Sequence, residues 1–125
     1  MLDRLREICL ALPEATERLS HGTPNFFVRD RKVFVTAWPD GHHGDTFPHL
    51  WCGAAEGVQG ELVAEAPERF FRPPYVGHRG WVGMRLDGVV DWGEVAELCV
   101  DSYRLVAPKT LVARLDAERP QPKPH

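Results

Sequence analysis

The sequence predicts an α+β fold: a compact single domain in which an antiparallel sheet carries its helices packed on one face. Three observations predict it. Short runs rich in β-branched and aromatic residues follow one another between Asn25 and Ala54, joined by turn residues and not by helices. Apolar residues at helical spacing mark both ends of the chain. The 125 residues, 43% hydrophobic and 26% charged, suit one core with no repeat and no second domain.

Each element follows from local pattern. Leu2, Leu5, Ile8, Cys9 and Leu12 recur at helical spacing, which predicts an amphipathic helix over 3–12 that Pro13 stops. "TERLS" is a marginal strand; "NFFVR" and "KVFVTAW" are stronger ones, with Asp30 and Arg31 at a tight hairpin turn. In the last of these Val33, Val35 and Ala37 alternate with Phe34 and Thr36, so the first set forms the apolar face. "PDGHHGDTFP" is a loop, and "HLWCGA" resumes as a strand, which makes 38–48 a long hairpin connection. "AEGVQGELVAEAP" is a short helix weakened by Gly57 and Gly60, and "ERFF" adds one helical turn. "GWVGMRLDG" is a strand with Val82, Met84 and Leu86 toward the core and Trp81, Gly83 and Arg85 on the other face.

Asp91 caps the next helix, and Glu94 three residues on completes a capping-box-like pair. Val95, Leu98, Cys99, Ser102, Leu105 and Val106 form its buried stripe. Pro108 opens a last short helix, "PKTLVARL". The domain is expected to span 1–116, with 117–125 a flexible proline-rich tail.

Composition excludes several function classes. No apolar run approaches the roughly 18 residues of a membrane span, and charge is scattered through the first 17 residues, unlike a signal peptide. A cytoplasmic location is the expectation, with no membrane partner, as a monomer or weak dimer. Cys9, Cys52 and Cys99 are odd in number and far apart, so neither a disulfide framework nor a CxxC metal site is indicated. They read as buried thiols, with a reactive Cys52 beside Trp51 as the alternative. A net charge of −3 argues against a strongly basic nucleic-acid binder.

The charge is unevenly placed. Residues 69–85, "RFFRPPYVGHRGWVGMR", contain four arginines and no acid, between acidic segments 54–68 and 86–103. Arg69, Arg72, Arg79 and Arg85, with Lys32 of the first hairpin, would contact phosphates; Tyr75, His78 and Trp81 would stack on bases. Scaffolding is the plainer reading of the same stretch, with Phe70 and Phe71 as anchors and Gly77 and Gly80 at a turn. A small-molecule ligand or protein partner held between "PPYVGHRGW" and the 42–49 loop is the other alternative. His42, His43 and His49 are weak candidates for a metal site, and no cofactor is indicated. No serine elbow, oriented Cys–His pair or phosphate loop is present, so an enzyme is not expected.

The segments "KVFVTAW", "HHGD", "LWCGA", "ERFFRPPYVGHRGWVGMRLD" and "DSYRLVAPKTL" together resemble the MmcQ/YjbR-like family of bacterial proteins, from about Leu2 to Leu115. The resemblance implies a compact fold similar to bacterial frataxin (CyaY-like) and a "double wing" arrangement of hairpins proposed to bind DNA. Frataxins carry an acidic ridge on the first helix. Here Asp3 and Glu7 are offset by Arg4 and Arg6, so an iron role is not carried over.

Overall fold

A computed structural model describes residues 1–119. Those residues form helices α1 (Leu2–Leu10), α2 (Val58–Glu65), α3 (Trp92–Val106) and α4 (Lys109–Glu118), a 3-10 turn at Gly77–Arg79, and six strands. The strands are β1 (Ala15–Ser20), β2 (Thr23–Val28), β3 (Lys32–Trp38), β4 (His49–Cys52), β5 (Phe70–Phe71) and β6 (Val82–Arg85). They make one antiparallel sheet in the order β1-β2-β3-β4-β6-β5. The architecture is the expected α+β domain. Among the described residues no helix is long and apolar enough to cross a membrane.

One face of the sheet holds the core. Phe26 and Val28 of β2, Leu50 and Cys52 of β4, and Val82 and Met84 of β6 meet α1, α3 and α4 through Leu5, Cys9, Val95, Cys99, Leu111 and Leu115. Alternation along each strand sends the intervening residues to the other face. Strand β3 breaks the alternation. Phe26 pairs with Val35 and Phe27 with Val33, so Phe34 is an extra residue. The bulge brings Phe34, Val35 and Ala37 all into the core and leaves Val33, Thr36 and Trp38 outside it. The expected apolar face of Val33, Val35 and Ala37 is therefore corrected by one residue of slippage.

A bulge leaves a residue without its full ladder bonds, and a buried unpaired carbonyl is costly. Ser102 of α3 answers this: its Oγ donates to the Phe34 carbonyl at 2.6 Å and accepts from Gly53 N at 2.9 Å. One hydroxyl thereby ties the helix to β3 and to the end of β4. Tyr103 packs edge-on against Phe34 and donates its hydroxyl to the Pro13 carbonyl at 2.8 Å. The buried stripe of α3 is Val95, Cys99, Val100, Ser102 and Tyr103, flanked by partly buried Leu98 and Val106. Leu105, expected in that stripe, is 52% exposed, because the helix phase that points Ser102 and Tyr103 inward turns it out.

Other expectations need revision. "ERFF" is not a helical turn. The chain turns at Ala66–Arg69, then Phe70 and Phe71 pair with Met84 and Gly83 as a sixth strand. The β2–β3 connection is Arg29–Asp30–Arg31, with Arg29 and Asp30 at φ 53° and 56°, one residue longer than the expected turn. Asp91 caps α3 by accepting from Gly93 N and Glu94 N, but the Glu94 carboxylate turns to Arg69 in place of closing a capping box. Helix α1 ends two residues earlier than predicted, and Leu12 still reaches the core. Helix α4 continues to Glu118, two residues into the stretch read as a tail; residues 120–125 lie outside the described residues.

Candidate groove on the open face of the sheet

The face away from the helices is built from the outward residues of β2, β3, β4 and β6. Register places them in rows across the sheet. Asn25, Thr36, Trp51, Gly83 and Phe71 lie side by side from β2 to β5. Trp38, His49 and Arg85 form a neighbouring row. Two segments fold over these rows: the 39–48 loop and the 72–81 stretch. Between them and the strands lies a groove of about 800 Å³.

Aromatic rings line much of it. The His42 ring lies 4.3 Å from Trp38 and 5.0 Å from Trp51, centre to centre, and 6.3 Å from Tyr75. Trp38 and Trp51 are 5.0 Å apart, and Trp81 and Phe27 also face the groove. The loop tip that carries His42 is closed by backbone bonds from His42 N to Asp45 O (2.8 Å) and from Asp45 N to His42 O (2.9 Å). Gly41 makes this tip possible. Its φ is 84°, and a Cβ there would sit 2.5 Å from the Asp45 carbonyl oxygen.

The floor is polar at its β2–β3 end. Asn25 Nδ2 donates to the Ser20 and Thr23 carbonyls, both at 3.0 Å, Thr36 Oγ1 donates to Asn25 Oδ1 at 2.6 Å, and Thr23 Oγ1 donates to the Ala37 carbonyl. Two carbonyls can only accept, so the Asn25 atom that faces them is the amide nitrogen. Beneath His42 the situation is the reverse. Trp38 Nε1, Trp51 Nε1 and His49 Nε2 are buried without a protein hydrogen-bond partner among the described residues. His49 Nδ1 lies 2.8 Å from the Phe47 carbonyl and donates to it, so Nε2 is a bare acceptor while the ring is neutral. Burial lowers the pKa of His49 and of His42, with the neighbouring His43 adding to the second shift, and both favour the neutral ring.

The residues that line the groove include no Asp or Glu, although the chain holds 18 acidic residues. Arg79 lines it, and no carboxylate pairs with Arg79 among the described residues. His21, His42 and His43 are its other ionisable bases.

The residues singled out from sequence are divided by this geometry. Tyr75, Arg79 and Trp81 line the groove. Tyr75 is 74% exposed at φ 65°, while Trp81, expected as a free contact residue, is only 8% exposed, its indole packed beside Gly53 at the end of β4. Arg69 is held by Glu94 at the start of α3. Arg85 is held by Asp87 at 2.7 Å and lies 3.9 Å over the Phe47 ring. Both were expected to point at a partner, and in each the guanidinium is neutralised by a carboxylate nearby. Arg72 lies along Gly77, where a Cβ would stand 2.6 Å from its Cγ. His78 is exposed on the 3-10 turn, and Lys32 opens β3 at the hairpin; neither lines the groove.

His49 is fully buried against Phe47, Phe71 and Trp51. Among the described residues no group of three His, Cys, Asp or Glu is placed to hold a metal. The three cysteines are free and buried. Cys52 points into the core from the opposite side of β4 to Trp51, and burial pushes its thiol well up, which removes the reactive alternative.

Sequence reasoning passed over Thr23, Asn25, Thr36 and Trp38. The signal was available: two hydroxyls and an amide on alternate positions of adjoining strands, with a tryptophan two residues beyond.

The comparisons with known proteins agree on the fold. The family model described as YjbR matches residues 10–105. No curated protein matches the chain. Among solved structures, the crystal structure of Deinococcus radiodurans protein DR2400, with family-model domain DUF419, superposes at a TM-score of 0.71. It shares 22% identity, and the match covers 98% of this chain and 89% of that one.

Proposed function

The chain belongs to the YjbR family, and from that premise we propose that it is a binding module that holds a small ligand in the groove on the open sheet face, without catalysis. One observation carries the reading. Among the described residues, the groove joins aromatic walls and a carboxylate-free lining to two buried indole N–H groups that have no protein partner. Concave, mostly apolar sites with a few convergent polar groups are the usual form of a small-molecule site. A buried donor left unpaired costs on the order of 1–3 kcal/mol, and a ligand acceptor that displaces the His42 ring from above the indoles would relieve that cost. Among the described groove residues there is no hydroxyl or thiol activated by an oriented base, so binding without turnover fits better than a reaction. A thermal-shift screen of chemically diverse small molecules tests this. Hits should raise the melting temperature and lose their effect in Trp38→Ala. A screen without such hits removes the reading.

A second reading, DNA binding, is favoured by a different observation. Arg72, Tyr75, His78 and Arg79 are all exposed within eight residues, and neither arginine has an ion-pair partner among the described residues. With Arg69 and Arg85 held by carboxylates, two or three phosphate contacts are available. Binding of a labelled duplex should then weaken with salt at a log–log slope of about −2 to −3. No binding near micromolar at low salt, or no salt dependence, overturns it.

A further inference from the structure

The β2–β3 end of the groove floor presents a one-sided set of hydrogen-bonding atoms. Thr23, Asn25 and Thr36 carry four polar side-chain hydrogens between them, and all four are engaged inward: three on backbone carbonyls and one on Asn25 Oδ1. What these three residues still present is lone pairs, on the two hydroxyl oxygens and on Asn25 Oδ1, so the trio accepts and does not donate; Ser20 and His21 line the groove beside it. Trp51 stands next to Thr36 in the same cross-strand row and supplies a ring face. Beyond it, on the β6 side, the 72–81 stretch supplies Arg79, a cation with no carboxylate beside it. At about 4.8 Å per strand, Thr36 on β3 and Gly83 on β6, the strand that the 72–81 stretch leads into, are roughly 10 Å apart, the length of a fused two-ring system with substituents.

Resting on the reading of the groove as a ligand site, we propose that its ligand is a planar aromatic anion with an N–H or O–H donor at the end remote from its charge. The ring lies against the Trp38, Trp51 and His42 wall. The anionic group, a carboxylate, sulfonate or phosphate, pairs with Arg79. The donor meets Thr36 and Asn25. A cationic aromatic is disfavoured twice: Arg79 repels it, and no carboxylate lines the groove to hold it.

Three matched probes separate these elements: an aminonaphthalene sulfonate, the naphthalene sulfonate that lacks the amine, and the naphthylamine that lacks the sulfonate. Affinity is measured by titration calorimetry at low salt on the full chain and on Arg79→Gln and Thr36→Val, after circular dichroism confirms that each variant is folded. The aminonaphthalene sulfonate should bind tightest. Loss of the sulfonate should weaken binding by about tenfold, the scale of one charge-assisted hydrogen bond. Arg79→Gln should weaken both sulfonates by the same factor and leave the naphthylamine unchanged. Thr36→Val should weaken only the two amines. If the naphthylamine binds as tightly as the aminonaphthalene sulfonate, or Arg79→Gln leaves the sulfonates unaffected, the ligand class is wrong while the site stands. If none of the three probes binds, the ligand class is wrong, and hits in the thermal-shift screen that are lost in Trp38→Ala would show that the site stands without it.

Discussion

The two faces of this sheet are made from alternate residues of the same strands, yet they are finished in opposite ways. On the helix-covered face, apolar side chains close-pack, and the polar atoms that enter have partners in the protein, with Asp116 Oδ1 of α4, which makes no hydrogen bond, 2.6 Å from an Arg104 nitrogen. Ser102 serves both Phe34 and Gly53, and Tyr103 serves Pro13. On the open face the cover is two loops, the rings leave a groove, and three buried polar atoms of Trp38, Trp51 and His49 go unmatched. Unpaired buried groups are rare in native proteins, and each one calls for a partner from outside the packed side chains. The difference teaches where stability ends and recognition begins: one strand supplies Leu50 and Cys52 to the first task and His49 and Trp51 to the second.

The strongest way to break this contrast is to open a cavity on the core side. Phe34→Ala should lower unfolding free energy by about 3–5 kcal/mol in urea titration, since Phe34 is fully buried at the bulge. A loss below about 1 kcal/mol would show that the bulge region can collapse and that this face is not the stable one. Next comes Gly41→Ala. The left-handed backbone and the close Asp45 carbonyl should cost about 1–3 kcal/mol and remodel the loop tip. The effect should be read in tryptophan fluorescence, because His42 leaves Trp38 and Trp51.

A matched pair sharpens the contrast further. Tyr103→Phe removes a satisfied donor and orphans the Pro13 carbonyl, for a loss of about 1–3 kcal/mol. Trp38→Phe removes an unsatisfied donor, and relief of its cost offsets the packing lost with the smaller ring, so the net loss should be well below that of Tyr103→Phe. Equal losses in urea titration would erase the distinction between the faces.

The smallest effect is with pH. The His49 pKa is lowered from 6.5 in the folded protein by burial, so the unfolded chain binds a proton more readily. Stability from this group is complete above about pH 6.5 and falls as pH drops from there toward the folded pKa, the direction in which unfolding takes up a proton. His42 acts in the same sense. His49→Phe should flatten the pH slope of the melting temperature between about pH 6.5 and 5. A slope of the opposite sign in the wild-type protein would contradict the burial of a neutral ring.

Much of this was legible in the sequence. The helices near both ends, the β2–β3 hairpin, the long 39–48 connection and the Asp91 cap all follow from spacing, β-branching and turn residues that act within a few positions. The buried cysteines follow from helical phase for Cys9 and Cys99 and from a strand setting for Cys52. The groove was only partly legible. The 72–81 stretch and the histidine loop were visible as its two sides, but the Thr23–Asn25–Thr36 floor was not, because adjacent strands had to be set in register before those residues became neighbours.

By itself the sequence determined the α+β class, the type and order of most elements, and the residues that would fill the core, since periodicity and turn chemistry are local physics. Tertiary structure decided the rest. The bulge at Phe34 chose the outward face of β3, and a partner strand made "FF" of "ERFF" a strand where local propensity suggested a helix. Contacts across 25 residues joined Arg69 to Glu94, while Arg79 was left facing the groove. Whether a charge is neutralised, or a donor matched, depends on what stands within about 3 Å of it. That distance is set by packing between segments that the chain itself keeps far apart.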